Sequence, residues 1–313
     1  MSDLFTDIAC SFGSKKVSNK EILISRGVSP EKAESLIERI GITNRFLSLD
    51  NENSLTLASK AFNDLLKSKG SYPDCLITVT QTSPYHLPHL SAFLLSESKE
   101  NNIFSLDINL GCSGFVYAFI VLNSLTKSST IKDGVIVCTD TYAKFINDQS
   151  NSTYLIFSDA ASAININFDS NFAMLSYNFG TSGVSTDKLI LKNQHHHIPE
   201  LFMDGPAVLK FSTREVLSSI ELAIEESGMD KKEIDLFLFH QASNLVLDTL
   251  QKKLGISHRQ LPRNLKEIGN TTSSSIPILI NELLLEGKLQ KGSIILMSGF
   301  GVGLSWATCV IKI

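Results

Sequence analysis

Cys112 is the residue whose setting in this sequence most favours covalent chemistry. It lies in the turn Gly111-Cys112-Ser113-Gly114, between a strand-like segment ending at Leu110 and an apolar stretch, 115–126, with helical spacing. Free N–H groups and the dipole at a helix N-terminus favour a thiolate, and flanking glycines let a substrate approach. The pattern predicts a nucleophile placed like the serine of a nucleophile elbow. The alternative is a small buried hydrophobe, which is the usual role of a free cysteine.

The remaining cysteines and a run of histidines have simpler interpretations. Cys10, Cys75, Cys138 and Cys309 lie in apolar runs and are predicted to be core residues. Five scattered cysteines fit neither a disulfide framework nor a zinc site, so we expect reduced thiols. Three consecutive histidines, 195–197, lie in an irregular polar stretch and do not face one point. They are predicted to form a surface loop, and no metal site is expected.

An internal repeat brings two more residues into the argument. The order helix, strand, turn and helix, strand, strand occurs twice along the chain. The first copy has the segments 55–68, 74–80, 110–126, 133–138 and 157–163, and the second has 212–227, 235–240, 269–286, 291–296 and 300–305. Short β-branched runs that alternate with amphipathic helices indicate an α/β architecture with mixed sheets covered by helices. We place the halves at 1–169 and 170–313.

The repeat predicts that residues far apart in sequence meet at one seam. Cys112 opens the central helix of the first half, and Asn270 comes just before the matching helix of the second. His240 ends the strand that corresponds to 74–80. A duplicated fold places such equivalent points near a pseudo-twofold axis. A thiol, an imidazole and an amide are the groups that acyl-thioester chemistry needs.

These residues stand in motifs that resemble a known family. The segments DINLGCSGFVYAF (107–119), FMDGPA (202–207), FHQASN (239–244), GNT (269–271) and FGVGLSW (300–306) are similar to those of the β-ketoacyl-acyl carrier protein synthase III family, within the thiolase superfamily. The resemblance extends along essentially the whole chain. It implies a five-layered αβαβα sandwich of two duplicated halves with mixed sheets, usually a homodimer, and no cofactor beyond the thioester substrates.

The resemblance also implies a role for each motif. Cys112 would attack an acyl thioester and carry the acyl group, with the backbone N–H groups of Cys112 and Val302 as the oxyanion hole. A malonyl thioester would then lose CO₂, and His240 Nε2 with the Asn270 amide would stabilise the enolate. Attack on the acyl-Cys112 would give a β-ketoacyl thioester. Further substrate-binding roles fall on Met203, Gly205, Ser243, Gly301 and Gly303.

The sequence departs from the family pattern at positions that bind the acyl donor. The family stacks a Trp and an Arg on the adenine of coenzyme A, and the matching positions here are Ser35 and Asn151. Such stacking contributes about 1–3 kcal/mol per base, so we expect weak coenzyme A binding or a carrier-protein donor. Arg39 matches a basic position near the phosphates, whereas Leu245 replaces a basic residue that helps to dock the acidic carrier. Positive charge is available instead from Lys210, Arg214, Lys252 and Lys253, and the donor stays open.

Leu87 is relevant to the size of the acyl group that the enzyme accepts. The segment Tyr85-His86-Leu87-Pro88 resembles one that crosses the dimer interface and lines the partner's acyl pocket. Leu87 stands where short-chain enzymes often have Phe. The smaller side chain predicts room for a longer or branched acyl group.

Composition excludes several other functions. The 313 residues are 43% hydrophobic, enough for a substantial core, and the net charge of −4 gives no support for nucleic-acid binding. Neither a spanning apolar run of about 20 residues nor a secretory signal is found, so we expect a cytoplasmic protein. Two alternatives remain: an acyltransferase that passes the acyl group from Cys112 to an alcohol or amine, and a non-catalytic partner subunit. The pathway is open between fatty-acid and specialised biosynthesis, such as a polyketide or a surface sugar.

Overall fold

A computed structural model describes residues 4–100, 102–128, 130–146, 151–168, 172–192 and 200–313. The strands are β1 Phe5–Phe12, β2 Lys15–Ser18, β3 Asn44–Leu47, β4 Cys75–Val79, β5 Phe104–Ile108, β6 Asp133–Asp140, β7 Ala160–Asn167, β8 Ala173–Thr181, β9 Leu189–Lys192, β10 Glu200–Met203, β11 Leu236–Phe239, β12 Ile294–Gly301 and β13 Ser305–Lys312. The α-helices are α1 Asn19–Ser25, α2 Pro30–Ile40, α3 Ser54–Lys69, α4 Leu90–Leu94, α5 Gly114–Ser128, α6 Asn151–Tyr154, α7 Gly205–Phe211, α8 Leu217–Ser227, α9 Asn244–Leu254, α10 Leu265–Ile268 and α11 Ser275–Leu285. A π-helical segment, Ser212–Val216, joins α7 to α8.

The first large sheet has the order β1-β7-β6-β4-β5. Its inner strand β4 is apolar, is buried along its whole length, and runs parallel to both β5 and β6. A continuous apolar strand of this kind is typical of a sheet covered on both faces. Because the three strands are parallel, their carboxyl ends meet at one edge of the sheet, where ligand sites of α/β folds usually form.

The second large sheet repeats this plan with the order β11-β12-β13-β8. β11 runs parallel to β12, and β13 is antiparallel to both β12 and β8. The first sheet has the same pattern: β4 is parallel to β6, and β7 is antiparallel to both β6 and β1. The duplication predicted from the sequence is therefore confirmed for four strands of each sheet, and β5 is an additional strand of the first sheet.

Helices form three layers around the two sheets. α5 packs on β4 and β6 of the first sheet and on β12 and β13 of the second, and α11 likewise contacts both sheets. α3 covers the outer face of the first sheet, and α8 covers that of the second. The apolar core between the sheets includes Phe115 and Phe119 of α5, Ile276 and Ile280 of α11, and Met297 of β12. The predicted five-layered αβαβα sandwich with mixed sheets is the observed fold.

The division into halves follows the sheets. All five strands of the first large sheet lie before residue 168, and all four strands of the second begin at Ala173 or later. The proposed boundary between 169 and 170 lies outside the described residues, so the ranges 1–169 and 170–313 stay a prediction. Within the described part, no helix combines the length and the apolar character needed to span a membrane.

Candidate active site

Cys112 lies in the turn that joins β5 to α5, and its side chain is only 4% exposed. The neighbouring backbone is close on two sides. A Cβ added to Gly301 would lie 3.1 Å from Cys112 Sγ, and one added to Gly111 would lie 2.6 Å from Gln81 Oε1. Glycine is therefore needed at both positions, because any side chain would displace the thiol or its neighbours.

The protonation state of Cys112 differs from the sequence-based expectation. The helix N-terminus predicted a favoured thiolate, but burial raises the pKa of the Cys112 thiol well above its usual range, and the charge of Asp140 adds to the rise. Removal from water destabilises a thiolate by more than the N-terminus of α5 stabilises it. The resting group is therefore the thiol, and it must lose a proton when it attacks.

His240 follows directly after β11, and its backbone N–H donates to Ser298 O of β12 at 2.9 Å. Its ring meets the edge of the Phe300 ring, with centroids 5.6 Å apart. Burial lowers the pKa of His240 from 6.5 to about 3, so the imidazole is neutral near pH 7. Nδ1 lies 2.8 Å from Ser275 Oγ, the first residue of α11.

Asn270 lies beside Nε2, the other ring nitrogen of this imidazole. Its Nδ2 is 3.4 Å from His240 Nε2 and donates to Ala242 O, also at 3.4 Å. Its Oδ1 accepts from the Thr272 backbone N–H at 2.9 Å. The Asn270 backbone pairs with residues of the first half, because its O accepts from Ser158 N at 2.8 Å. Both halves therefore hold the amide in place.

The predicted oxyanion loop, 301–303, lies in the tight connection between β12 and β13. Ser305 Oγ donates to Val302 O at 2.7 Å and lies 2.8 Å from Ser113 Oγ, next to Cys112. One hydroxyl thus ties the loop to the nucleophile turn. Gly303 has φ +137°, a conformation that side chains rarely adopt. The Val302 side chain packs on the apolar cluster of the second half.

The end of β12 is the point where these groups come together. Gly301 touches Cys112, Phe300 touches His240, and His240 is next to Asn270. The end of β12 therefore lies next to Cys112, which follows β5, and next to His240, which follows β11. Asn270 Nδ2 lies 3.4 Å from His240 Nε2, and the convergence of both side chains on the Cys112 thiol stays a prediction.

The predicted substrate-binding residues are spread more widely. Arg39 is exposed in the last turn of α2, and Leu87 is 85% exposed in the loop after β4. Met203 ends β10 and packs on the same apolar cluster as Val302. Gly205 begins α7, where a Cβ would meet nothing within 4 Å. Ser243 caps α9 by accepting from Val246 N at 3.4 Å.

The structure also locates the positions at which the sequence departs from the family pattern. Ser35 is exposed on α2, and Leu245 is 38% exposed at the start of α9. Asn151 begins α6, and its side chain lies outside the described part, as do residues 195–197. In the part of the chain that the structure describes, no group of three or more His, Cys, Asp and Glu side chains could hold a metal ion.

Four residues at the site were not singled out from the sequence: Ser275, Asp140, Gln81 and Tyr142. The buried Asp140 carboxylate accepts from Thr272 Oγ1 at 2.8 Å, from Ser273 Oγ at 2.9 Å and from Gln81 N at 2.9 Å. It thereby joins the loop after β4 to the loop that carries Asn270. Burial raises the pKa of Asp140 from 3.8 to about 6. Their position in the sequence could have identified two of these residues, because Gln81 and Asp140 stand at the carboxyl ends of adjacent parallel strands.

Comparison with known proteins shows which family and which solved structures the chain resembles. Residues 106–183 match the family described as 3-oxoacyl-[acyl-carrier-protein] synthase III, and residues 224–313 match its C-terminal part. The β-ketoacyl-[acyl-carrier-protein] synthase III of Streptococcus sanguinis is 33% identical over 311 residues, covering 95% of each chain. The solved 3-oxoacyl-(acyl-carrier protein) synthase of Burkholderia xenovorans is 28% identical and covers 99% of this chain and 93% of its own, with a TM-score of 0.90. A priming β-ketosynthase of the R1128 polyketide pathway shares the fold, with a TM-score of 0.88 at 24% identity over 97% of this chain and 94% of its own.

Proposed function

The chain belongs to the β-ketoacyl-acyl carrier protein synthase III family, and from that premise we propose that Cys112, His240 and Asn270 are its catalytic residues. The enzyme is a transferase of the condensing type. Cys112 takes an acyl group from a thioester and joins it to the carbon of a decarboxylated malonyl thioester. The observation that carries the proposal is the 3.4 Å separation of Asn270 Nδ2 and His240 Nε2. Phe300 and Gly301, adjacent residues of β12, link this pair to the buried Cys112.

The first step is acylation of Cys112. The thiol is protonated at rest because burial raises its pKa, and His240 is neutral and can accept the proton as sulfur attacks the thioester carbonyl. The Cys112 and Val302 N–H groups stabilise the negative oxygen that develops. Collapse of the intermediate breaks the bond to the donor sulfur, which leaves with the proton. The products are acyl-Cys112 and a free donor thiol.

The second step forms the carbon–carbon bond. Loss of CO₂ from the malonyl thioester leaves an enolate, whose oxygen accepts hydrogen bonds from Asn270 Nδ2 and His240 Nε2. The two steps use the two tautomers of the neutral imidazole. With Nδ1–H donating to Ser275 Oγ, Nε2 accepts the Cys112 proton in the first step; with Ser275 Oγ donating to Nδ1, Nε2 carries the proton that the enolate needs. The carbanion attacks the acyl-Cys112 carbonyl, the C–S bond breaks, the sulfur takes up a proton from solvent, and a β-ketoacyl thioester is released. Neutral hydrogen-bond donors suit this step because neither group has to change its charge to stabilise the enolate.

The donor is a thioester of coenzyme A or of an acyl carrier protein. Basic residues are available for an acidic carrier, since Lys210 and Arg214 lie in α7 and the π-helical segment. α9 packs against that segment, and Lys253 Nζ donates to Thr213 O at 3.1 Å. Arg39 supplies a further exposed cation on α2. The assay below includes both donor types.

We further propose that the chain forms a homodimer through β5. This strand is the last in the order of the first sheet, so its outer edge is open to a partner strand, and it carries the 42% exposed Phe104. An exposed apolar strand edge favours pairing with a second copy. Light scattering on the purified protein would show a dimer mass, and a monomer at micromolar concentration would contradict the proposal.

Intact-mass measurement with matched cysteine variants tests the catalytic assignment. The protein is incubated with acyl-coenzyme A and acyl-carrier donors, and malonyl-carrier is then added while CO₂ is collected. Wild type should gain one acyl mass and release CO₂ on addition of the malonyl thioester. Cys112→Ala should gain no acyl mass, whereas Cys75→Ala, which removes a buried cysteine of β4, should behave as wild type.

Each outcome separates the alternatives. An acyl adduct that is passed to an alcohol or amine without release of CO₂ would support an acyltransferase. Absence of an adduct with every donor would favour a non-catalytic subunit. An adduct that persists in Cys112→Ala would show that the wrong nucleophile has been assigned.

A further inference from the structure

A cavity of about 340 Å³ lies between the end of β3, the segment after β6 and the corner before β7. The first segment lines it with Arg45 and Ser48, the second with Lys144 and Ile146, and the third with Asp159. None of the three proposed catalytic side chains lines this space. Its volume falls within the range of about 300–1,000 Å³ that is usual for small-molecule sites.

The guanidinium of Arg45 lines the cavity and is only partly hydrogen-bonded. The residue is 1% exposed, its Nε donates to Asn19 Oδ1 at 2.7 Å, and its Nη1 donates to Phe157 O at 3.0 Å. Nη2 is buried and has no hydrogen-bond partner. Among the described residues, no carboxylate forms an ion pair with this group. A buried charge without a counter-ion is unfavourable, so Nη2 favours a bound anion.

Ser48 and Lys144 bring further donors to the same cavity. Ser48 Oγ is buried and, like Arg45 Nη2, has no hydrogen-bond partner. Lys144 Nζ donates to Leu49 O at 2.8 Å and to Asp50 O at 3.4 Å, and an ammonium group has a third N–H to donate. Two buried donors without partners and a second cation therefore line one space.

The carboxylates around the cavity limit the charge that it can accept. Asp159 is fully buried, and its Oδ2 accepts from Ser48 N at 2.8 Å while its Oδ1 accepts from Ala143 N at 3.0 Å. Asp50 is exposed, so water screens its charge. Arg45 and Lys144 therefore outnumber the one buried carboxylate by a single charge. A monoanion would restore the balance, whereas a dianion such as phosphate would add an excess of negative charge.

The walls of the cavity indicate which kind of monoanion fits. A carboxylate is planar and matches the planar edge of a guanidinium group. Leu47 and Ile146 line the cavity with apolar atoms, and so does Tyr154, whose ring centroid is 5.1 Å from Arg45 Cζ. Apolar walls with a few polar groups suit an organic ligand better than an inorganic ion.

We propose that this cavity binds a small organic monocarboxylate, with Arg45 Nη2, Ser48 Oγ and Lys144 Nζ as its donors. The site is additional to the proposed acyl-transfer site and does not depend on it. Arg45 also connects the bound anion to the seam between the halves, because its Nη1 donates to Phe157 O and Phe157 forms a parallel β-bridge with Asn270.

A ligand-observed NMR titration of the full chain with sodium butyrate tests the site. Wild type should bind butyrate saturably, with a dissociation constant on the order of 1 mM. Butyramide has nearly the same shape without the charge and should bind at least about tenfold more weakly, because hydrogen bonds to a charged group are the stronger ones. Phosphate should also bind more weakly than butyrate.

Substitutions at the cavity locate the bound butyrate. Ser48→Ala removes one donor and should weaken binding by about two- to tenfold. Ser48→Leu, which fills the cavity, should abolish binding, and Lys144→Gln should weaken it by about two- to fivefold. Ser71→Ala, at an exposed serine, should bind as wild type does. If Ser48→Leu lacks a cooperative thermal transition, Ser48→Ala and Lys144→Gln decide the result.

Each outcome either supports or overturns the site. Absence of saturable binding would show that the cavity holds only water and would overturn the proposal. Binding that Ser48→Ala and Lys144→Gln leave unchanged, or that Cys112→Ala abolishes, would place butyrate elsewhere and also overturn it. Equal affinity for butyramide, or tighter binding of phosphate, would refute the monocarboxylate class. Butyrate binding that the cavity variants weaken supports the site, whether or not Cys112 accepts an acyl group.

Discussion

Gly301 offers the most direct test of how closely β12 must approach the nucleophile. In Gly301→Ala, the new Cβ would lie 2.8 Å from Cys112 Cβ and 3.1 Å from Sγ, whereas ordinary contact begins at 3.4 Å. The atoms it meets belong to a short buried side chain, which has no flexible end to swing away. Either β12 or the nucleophile turn must therefore shift by several tenths of an ångström.

The size of the effect follows from what that shift displaces. Overpacking of this kind costs about 1–3 kcal/mol of stability. Gly301 also adjoins Val302, whose N–H is a proposed oxyanion donor, and loss of one such donor costs about 10²–10³ in rate. Since the shift is smaller than the 1 Å that can cost about 10²-fold, we expect a loss of about 30- to 100-fold in the acylation rate.

The assay is the rate at which Cys112 gains an acyl mass, measured with a saturating donor. Gly183→Ala is the matched control, because a Cβ there would meet nothing within 4 Å and the residue lies in a surface turn. The control should acylate as wild type does. A folded Gly301→Ala that acylates within about twofold of wild type would refute the close-approach argument, since the same Cβ would then have been accommodated without moving the oxyanion donors.

Three further predictions concern the groups that hold the site. Ser275→Ala removes the partner of His240 Nδ1, so CO₂ release should fall about tenfold and Ser275→Thr should recover part of it; equal rates in all three proteins would contradict this. Because burial raises the folded-state pKa of Asp140 from 3.8 to about 6, its contribution to stability is present below about pH 4 and is lost as pH rises to about 6. The thermal stability of wild type relative to Asp140→Asn should therefore decline across that window, and a constant difference would contradict it. Arg45→Met should lower the free energy of unfolding, measured by denaturant titration, by about 2–5 kcal/mol. The reason is that the buried guanidinium donates to Asn19 Oδ1 at 2.7 Å and to Phe157 O at 3.0 Å. The control Arg259→Met, at an exposed position, should change the same free energy by less than about 0.5 kcal/mol.

The sequence was sufficient for the fold, and it brought the three proposed catalytic groups into one hypothesis. His240 follows the buried apolar strand β11, and Cys112 follows the partly exposed strand β5; such strands can be recognised from composition and turn residues alone. The repeat then supplied the long-range information that a single motif lacks, since equivalent strand ends of two copies must meet across the seam. Asn270 was found in the same way, at the start of a matched helix.

The supporting groups could not be found in this way because their roles depend on three-dimensional distance. Ser275 is one of four consecutive small polar residues, 272–275, and only the packing of α11 selects it as the partner of His240. Tyr142 reaches Gln81 because β6 and β4 are adjacent in the sheet, although their order in the chain is interrupted by β5. The raised pKa of Cys112 depends on burial, which a local pattern cannot report.

The proposed chemistry uses both halves of the duplicated plan, since Cys112 lies in the first half and His240 and Asn270 lie in the second. Asp140 links the two, because it accepts from Gln81 N and also from the hydroxyls of Thr272 and Ser273, next to Asn270. A change that moves the backbone at Asp140 would therefore disturb the amide needed for condensation.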